Sequence, residues 1–476
     1  HTNFALAAEG EYLGLIKPDG VTVASEFAPT FPPQANDVSF GLIPQPGGAL
    51  AAAYLPVPSP GAANPTSGSA TLAATPRFSR PAGPFSAPFE LPLTGAGAGQ
   101  HLRYVAVPPG PAGATAPEPT ESSPRYNGPL AITGSTLIRA AVFSDDLRSR
   151  GLPATAHYFR LDLAGATGLA SFSTRLPVLV LDQHGYGGLN PEDGDRPAWL
   201  YGFATPAATG RPFDQAPEFA SPVRSSIRGS SSANFNKKSY NLKILNDLGK
   251  STARVLLGSR PFDEWALIGP WFYDPSLLRN AFIYALSNRL GRWAPRTRFV
   301  ELFFNRDGDP LDASAHAGVY LLTDKIDIHP DRVAINPLSA TASREPDITG
   351  GYLLKIDIPD PNEYAWTTTY GLDLDTTSQV LVTSPKLDKL TTAQRAYIRG
   401  YVQQMENALH DGRASGWRDR RYLDYLDRAS WVDHHLLNTF AANPDAFERS
   451  SYFHKPRNGR IVAGPIWDFD RALGSH

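Results

Sequence analysis

The density of chain-breaking residues in the first third of this sequence most restricts what the chain can fold into. Residues 44–76 read PQPGGALAAAYLPVPSPGAANPTSGSATLAATP, with no hydrophobic period and a Pro or Gly every few positions. Such a composition favours extended, solvated backbone over a packed helix. We therefore predict that residues 44–76 form a linker or surface wrap between two β-rich regions.

A small β unit is predicted ahead of this linker, over residues 1–43. The segment FALAAEGEYLGLIKPDGVTVASEF alternates apolar and polar residues on both sides of Pro18-Asp19-Gly20. An Asp-Gly pair between two alternating runs is a hairpin signal. The pattern therefore predicts two antiparallel strands joined at this turn.

Five short strand-like runs follow at the spacing of a β-sandwich, within residues 77–162. They are FSAPFELPLT, HLRYVAV, GPLAIT, TLIRAAVFS and ATAHYFRL. The frame RYVAV…PEPTESSPRYNGPLAITGSTLIRAAVF resembles the β-sandwich module at the C-terminus of chitobiases and β-hexosaminidases, although the DGS core of that module's motif is missing here. The resemblance implies a spacer or a carbohydrate contact rather than a catalytic domain.

Composition excludes several classes of protein. The chain has no cysteine, so disulfides, thiolate metal sites and a cysteine nucleophile are excluded. Its net charge of −2 gives no overall attraction to nucleic acid, and no apolar run approaches the roughly 18 residues of a membrane span. Because the chain begins with His and ends abruptly, we expect that a leader and a C-terminal segment have been removed from a secreted or cell-surface bacterial protein.

From about residue 170 the sequence predicts mixed strands and helices. LPVLVLD is typical of a buried strand, and YDPSLLRNAFIYALSNRLG of a helix with Asp274 as N-cap, Pro275 as its first residue and Gly291 as its stop. The predicted apolar face of this helix comprises Leu278, Ala281, Phe282, Ala285 and Leu286. Two more helices are predicted in TTAQRAYIRGYVQQMENALH and ASWVDHHLLNTFAAN, before a hairpin that turns at Arg457-Asn458-Gly459.

The order of these elements is that of the parts of a protein kinase. A basic strand, NKKSYNLKIL, precedes the first helix, and the acidic loop NPDAFERS and the motif WDFD come near the end. Kinases use a strand lysine for the phosphates, a catalytic-loop Asp, a metal ligand five residues after it, and a second Asp that holds Mg²⁺. Phosphoryl transfer needs little beyond such positioning and charge neutralisation.

Several motifs in this order resemble the CotH family, the spore-coat-protein-H type of atypical secreted kinase. They are Arg228-Gly229-Ser230-Ser231, NKKSYNLKI, DPSLLRNAFIYALSNRLGRWAPRTRFVELFFN, GVYLLTDKI, GGYLLKID, NPDAFERSSYF and GPIWDFDRALG. The resemblance covers residues 170–476 and implies an α+β atypical protein-kinase-like domain with ATP and Mg²⁺ or Mn²⁺ as cofactors. The predicted fold class is thus multidomain, with an all-β N-terminal region ahead of this domain.

The resemblance also implies roles for four residues near the C-terminus. Asp445 matches the family's catalytic-loop Asp and Asp468 its metal-binding Asp, whereas the local sequence alone favours Asp445 as a turn residue after Pro444. Asp470 is either a second metal ligand or a cap for the following RALG. Ser450 stands five residues after Asp445, where the family has Asn, and its hydroxyl is a shorter and weaker metal ligand.

Candidate phosphate-binding residues lie around the basic strand. Strand alternation places Lys238 on the side with more apolar neighbours. We therefore favour Lys238 as a ligand of the nucleotide phosphates, although the basic cluster is also explained as a solvated face of the strand. Arg228 begins a small-residue loop whose N–H groups can cradle phosphates, although such loops are commonly just turns. Asp324 stands where the family has Glu, and is either the partner of a lysine or a surface carboxylate beside Lys325.

Together these features predict a kinase that transfers the ATP γ-phosphate to Ser or Thr of a secreted or surface protein. The rival hypothesis, from another class, is a surface scaffold, adhesion or glycan-binding protein whose kinase-like domain has lost turnover. The β-sandwich module is the predicted site of any carbohydrate contact. Ser450 is the residue that separates the two hypotheses.

Overall fold

The structure is a computed structural model that describes all residues except a few short stretches. These are 1–5, 7–9, 35–37, 56–58, 147–148, 206–207, 230, 270–271, 361, 372–376 and 476. The chain divides into two compact units, each assembled from three stretches. The first comprises 1–226, 243–263 and 301–318, and the second comprises 227–242, 264–300 and 319–476.

The N-terminal region forms two separate hairpins. Its strands are β1 (Leu13–Ile16), β2 (Val23–Phe27), β3 (Ser39–Pro44) and β4 (Leu50–Leu55). The hairpin predicted at Pro18-Asp19-Gly20 is confirmed, because β1 pairs antiparallel with β2. Strand β4 lies within the segment predicted as a linker, since its end is apolar and packs with Ile43 of β3.

Eight strands follow within residues 77–162. They are β5 (Arg77–Phe78), β6 (Gly83–Phe85), β7 (Phe89–Leu91), β8 (Leu93–Thr94), β9 (Gln100–Val107), β10 (Leu130–Ile132), β11 (Thr136–Ser144) and β12 (Ala154–Arg160). A four-stranded sheet in the order β6-β12-β11-β9 shares one core with the pair β10-β7. Ile138, Tyr158 and Leu91 are completely buried in this core, so the short strands stabilise one another by packing.

Seven strands come next, and four of them, β15, β16, β18 and β19, contribute residues to both units. The seven are β13 (Val178–Asp182), β14 (Arg196–Phe203), β15 (Phe219–Arg228), β16 (Ser239–Ile244), β17 (Glu264–Ile268), β18 (Thr297–Asn305) and β19 (His316–Asp324). In the first unit, β13 pairs antiparallel with β14 and parallel with residues 301–305 of β18. All five residues of β13 are buried, which confirms the strand predicted in LPVLVLD.

The second unit has a sheet in the order β21-β22-β20-β23-β24. Its strands are β20 (Tyr352–Asp357), β21 (Tyr364–Trp366), β22 (Gln379–Ser384), β23 (Ser451–Lys455) and β24 (Val462–Ala463). The α-helices among the described residues are α1 (Arg279–Arg289), α2 (Thr392–Ala414) and α3 (Arg428–Ala441). Ile398 and Val402 of α2 pack against Tyr352 and Leu354 of the sheet. The hairpin predicted at Arg457-Asn458-Gly459 is confirmed by the pairing of β23 with β24.

Helix α1 differs from its prediction at its start and on its buried face. It begins at Arg279 because Leu277 has φ 57° and breaks the helical path, yet the carboxylate of Asp274 still accepts from the N–H of Arg279 at 2.9 Å. Its stop at Gly291, φ 76°, is confirmed. The buried residues are Asn280, Ile283, Tyr284 and Ser287. Leu278 and Phe282, from the predicted apolar face, are 55% and 50% exposed.

Strands therefore dominate the described part of the chain, which agrees with the predicted β-rich N-terminal region. With only α1 to α3 as α-helices among the described residues, the α+β kinase-like class of the second half stays a prediction. The bounds of the four predicted segments stay predictions as well. Among the described residues, no helix is both long and apolar enough to cross a bilayer.

Candidate active site

Three acidic residues stand near the C-terminal end of the second unit. Asp445 lies in the loop after α3, and Asp468 and Asp470 follow β24. Helix α3 ends where Ala442 takes a left-handed conformation, φ 46°, and the N–H of Asp445 then donates to Oδ1 of Asn443 at 3.1 Å. The turn expected from the local sequence is therefore present, and it fixes how the loop leaves the helix.

Two side chains of helix α1 hold the backbone around Asp468. Asp468 has φ 61°, a left-handed conformation that Asn and Asp adopt more readily than other side chains. Its N–H donates to the hydroxyl of Tyr284 at 3.0 Å, and the N–H of Phe469 donates to Oδ1 of Asn280 at 2.7 Å. Phe469 is 1% exposed in the core that joins α1 to α3. The buried polar face of α1 thus serves to position Asp468.

The carboxyl groups of Asp468 and Asp470 both have raised pKa values. Burial is the main cause of the raised pKa of Asp468, and the charges of Asp445 and Asp357 add to it. Burial, then the charges of Asp468 and Asp445, raises the pKa of Asp470 to about 8. The charge of Asp445 thus acts on both Asp468 and Asp470, and the charge of Asp468 acts on Asp470. Carboxylate oxygens are the ligands that hard divalent cations prefer.

Asp445 has a cationic partner. Nη1 of Arg471 lies 2.8 Å from Oδ1 of Asp445, whose side chain is 17% exposed. The same guanidinium lies over the ring of Tyr273, 5.3 Å from its centroid. Asp445 is thus held by one charge-assisted hydrogen bond and keeps a second carboxylate oxygen for another group.

Ser450 lies beside Asp468. Its Oγ donates to Oδ2 of Asp468 across 3.5 Å, at the outer limit of a hydrogen bond, and its backbone has φ 50°. Two ligands of one Mg²⁺, each at about 2.0–2.1 Å, stand roughly 2.9 Å apart when adjacent and about 4.2 Å apart when opposite. The two oxygens therefore fit one shared ion with little movement.

Arg228 provides positive charge at the same place. Its guanidinium lies 5.0 Å from the ring centroid of Trp467, the residue before Asp468, and it lowers the pKa of Asp468 against the effect of burial. Nη1 of Arg228 is buried and has no hydrogen-bond partner among the described residues. Of the loop that Arg228 begins, Ser230 lies outside the described residues. A buried guanidinium N–H beside carboxylates is well suited to a phosphate oxygen.

Residues 226–476, just over half of the chain, match the family model described as CotH kinase protein. The chain belongs to the CotH kinase family. This match includes every residue of the site, from Arg228 to Asp470, and does not extend to the β-rich region ahead of it. No curated protein matches the chain. Family membership supports a kinase-like function in general terms.

Lys238, which strand alternation favours for the phosphates, makes contacts within its own loop. Its Nζ donates to the carbonyl oxygens of Ala233 at 2.7 Å and Phe235 at 3.3 Å. These residues belong to the loop that follows Arg228. In this structure Lys238 therefore stabilises the loop, and its predicted phosphate contact stays a prediction.

Asp324, at the position where CotH proteins have Glu, is 2% exposed and lies 2.7 Å from Nε of Arg296. Neither alternative drawn from the sequence describes this contact, because the carboxylate is buried and its ion-pair partner is an arginine. Its predicted role in nucleotide binding stays a prediction.

Lys355 is a site neighbour that the sequence reasoning did not single out, although its motif GGYLLKID was noted. Its Nζ lies 3.6 Å from Asp357 and 3.2 Å from Glu363. Asp357 in turn raises the pKa of Asp468. A lysine and an acid two positions apart on one face of a strand were the available signal.

Proposed function

We propose that this protein is a metal-dependent protein kinase that transfers the γ-phosphate of ATP to Ser or Thr of another protein. The observation that supports this most is that the charges of Asp445, Asp468 and Arg228 act on the carboxyl groups of Asp468 and Asp470, while Nη1 of Arg228 is buried with no hydrogen-bond partner among the described residues. Phosphoryl transfer requires bound cations, a group that orients the attacking hydroxyl and a positive charge for the phosphates. Each requirement has a candidate in this one site.

Asp468 and Ser450 are the proposed pair of metal ligands, with Asp470 as a further ligand. Mg²⁺ or Mn²⁺ held there would neutralise charge on the β- and γ-phosphates. The raised pKa values of Asp468 and Asp470 fit this role, because bringing a cation among crowded carboxylates relieves their repulsion. The protein's contribution is to hold these oxygens in place through α1.

Asp445 is the proposed group that orients the attacking hydroxyl and accepts its proton. The hydroxyl oxygen forms a bond to the γ-phosphorus while the bond from that phosphorus to the bridging oxygen breaks. ADP leaves with the electron pair of the broken bond, and the hydroxyl proton passes to the carboxylate of Asp445. Arg471 restricts how that carboxylate can turn, which is the positioning such a group needs.

Arg228 is the proposed ligand of the phosphate oxygens, and Lys238 keeps its loop in place for that contact. The guanidinium is fixed by its stacking on Trp467, and its Nη1 has no hydrogen-bond partner among the described residues, so a phosphate can bind there without displacing any of them. We place the acceptor protein outside the cell or on its surface, as the family resemblance implies.

A catalytically weak scaffold is the second candidate, because Ser450 is the departure from the expected Asn. In that case the site binds nucleotide and metal but does not turn over. The β-rich region of residues 77–162, with its proposed carbohydrate contact, then provides the main binding function.

Incubation with radiolabelled ATP, Mn²⁺ or Mg²⁺ and an unstructured Ser/Thr-rich acceptor protein separates the two candidates. The kinase proposal predicts label on the acceptor with wild type, no label with Asp445→Ala although ATP still binds, and loss of metal-dependent ATP binding with Asp468→Ala. Equal background label from all three proteins, with ATP binding intact in wild type, would support the scaffold instead.

A further inference from the structure

A second cluster of ligand-type side chains lies in the first unit, outside the proposed kinase site. His157, Asp182 and His184 each place one potential ligand atom within 4.8 Å of the others. The side chains are 0%, 1% and 0% exposed. A buried set of two imidazoles and a carboxylate needs a physical reason, because unpaired polar groups are costly to bury.

The backbone and one amide fix the carboxylate of this cluster. His157 belongs to β12, Asp182 is the last residue of β13, and His184 follows two residues later with φ 53°. The N–H of His184 donates to Oδ1 of Asp182 at 2.7 Å, and Nδ2 of Asn305 donates to Oδ2 at 2.8 Å. Each carboxylate oxygen thus accepts one hydrogen bond and keeps a lone pair.

The outer nitrogen of each imidazole is also fixed. Nε2 of His184 lies 2.9 Å from the carbonyl oxygen of Val107 and must therefore carry a hydrogen. The hydroxyl of Tyr201 donates to the carbonyl oxygen of His157 at 2.8 Å, so its own oxygen accepts from Nδ1 of that residue at 2.7 Å. Burial is the main cause of the lowered pKa of both histidines.

These assignments leave three lone pairs facing one another. Nε2 of His157 and Nδ1 of His184 are the inner nitrogens, which carry a lone pair when the single hydrogen of each ring is on the outer nitrogen, and they lie 2.9 Å apart. Oδ1 of Asp182 lies 3.9 Å from the same Nε2. Adjacent ligands of a tetrahedral zinc ion, at about 2.0–2.2 Å from the metal, stand roughly 3.3–3.5 Å apart. The separation between the two nitrogens, 2.9 Å, is shorter than this value, and the separation between Oδ1 and Nε2, 3.9 Å, is longer.

We propose that His157, Asp182 and His184 bind a divalent transition-metal ion, with zinc as the best match to two imidazoles and one carboxylate. Imidazole and carboxylate ligands suit zinc, and hydrogen bonds from the outer ring nitrogens to a carbonyl and a hydroxyl are the usual support of ligating histidines. The ion joins the middle of β12 to the end of β13 inside the first unit and has a structural role. Gln183, between two of the ligands in sequence, is fully buried and its amide has no hydrogen-bond partner among the described residues, so the same turn holds a further unsatisfied oxygen.

The test is the metal content of the full-length protein, measured by mass spectrometry after stripping with a chelator and reloading with Zn²⁺ or Co²⁺. We expect about one tightly held ion per wild-type chain, with the visible absorption of four-coordinate Co²⁺. His184→Gln and Asp182→Asn should retain less than about a tenth of it. His316→Gln, which removes a histidine of the same unit outside the cluster, should retain it fully.

Two further measurements distinguish this site from the proposed kinase site and from a cluster that binds no metal. Asp468→Asn, in the proposed kinase site, should retain the ion; loss of the ion in Asp468→Asn but not in His184→Gln would overturn the proposal. If the cluster variants do not fold, metal uptake by the stripped wild-type protein is the deciding measurement. Failure of stripped, folded wild type to take up either Zn²⁺ or Co²⁺ would show that the two histidines are simply hydrogen-bonded to each other.

Discussion

The hydroxyl oxygen of Ser450 lies 3.5 Å from Oδ2 of Asp468, and both residues have left-handed backbone conformations. The residue that departs from the expected Asn therefore still faces the proposed metal ligand. A left-handed backbone suits Asn better than Ser, because the Asn side chain bonds locally in that region. The site has kept the backbone geometry that an Asn favours while losing its longer amide oxygen.

Ser450→Asn should consequently strengthen metal binding. The amide oxygen reaches further than Oγ, so we expect the Mn²⁺ concentration that half-saturates ATP binding to fall about two- to tenfold, equivalent to roughly 0.5–1.5 kcal/mol. Ser450→Ala should raise it by a similar factor. Calorimetric titration of ATP at several Mn²⁺ concentrations measures both, and no change in either variant would exclude Ser450 from the metal site.

Stability without metal should fall as the solution becomes alkaline. The pKa of Asp470 is raised to about 8, so the folded state keeps a proton that the unfolded state releases near pH 4. This contribution is complete below the unfolded pKa and is lost as pH rises through about 8. An Asn at position 470 has no such proton to release. The melting temperature of Asp470→Asn should therefore fall less than that of wild type between pH 6 and pH 9.

The same reasoning predicts that Mg²⁺ stabilises the wild type more at pH 8 than at pH 6, since cations compete with protons for these carboxylates. Melting curves in chelator and in excess Mg²⁺ measure this difference. Parallel pH profiles for wild type and Asp470→Asn would mean that Asp470 does not retain its proton.

Arg228 should matter more to ATP affinity than Lys238. Arg228→Met removes a donor from the proposed phosphate site, and a hydrogen bond to a charged group is worth roughly 1.5–3 kcal/mol, so ATP binding should weaken by about 10- to 150-fold. Lys238→Met should weaken it less, because its ammonium bonds loop carbonyls in this structure. Arg224→Met, an exposed arginine on β15, is the matched control for charge. The opposite order of effects would make Lys238 the phosphate ligand.

Truncating a side chain should cost much more stability on the buried face of α1 than on its half-exposed face. Asn280→Ala leaves the buried N–H of Phe469 without its acceptor, which should lower the free energy of unfolding by about 1–3 kcal/mol. Phe282→Ala, on the half-exposed face of the same helix, should change it by less than about 0.5 kcal/mol. Urea unfolding followed by circular dichroism measures both. A larger loss of unfolding free energy in Phe282→Ala than in Asn280→Ala would support the apolar face predicted from the sequence and contradict the polar one.

What the sequence predicted well depends on local chemistry. At the first hairpin, the carboxylate of Asp19 accepts from the N–H groups of Val21 and Thr22, all within four residues. At the last hairpin, Asn458 takes φ 54° next to Gly459. Such turns are determined by neighbouring residues and are therefore readable from a short segment.

What the sequence could not predict depends on partners far along the chain. The buried face of α1 is polar because Asn280 and Tyr284 bond backbone N–H groups of residues more than 180 positions away. Arg471 meets Asp445 across 26 positions, and periodicity contains no signal of this pair. The family resemblance supplied Asp445 and Asp468. Lys355 and Asp357 are two positions apart in the sequence, but only the folded chain shows that the charge of Asp357 acts on Asp468.

The most direct test of the central claim uses ATP labelled with ¹⁸O in its γ-phosphate, with the acceptor protein analysed by mass spectrometry. The label distinguishes newly transferred phosphate from any phosphate already present. We predict ¹⁸O-labelled phosphoserine or phosphothreonine with wild type, more of it with Ser450→Asn, and none with Asp445→Ala. Labelled acceptor at equal levels with Asp445→Ala, or none with wild type and Ser450→Asn alike, would contradict the account.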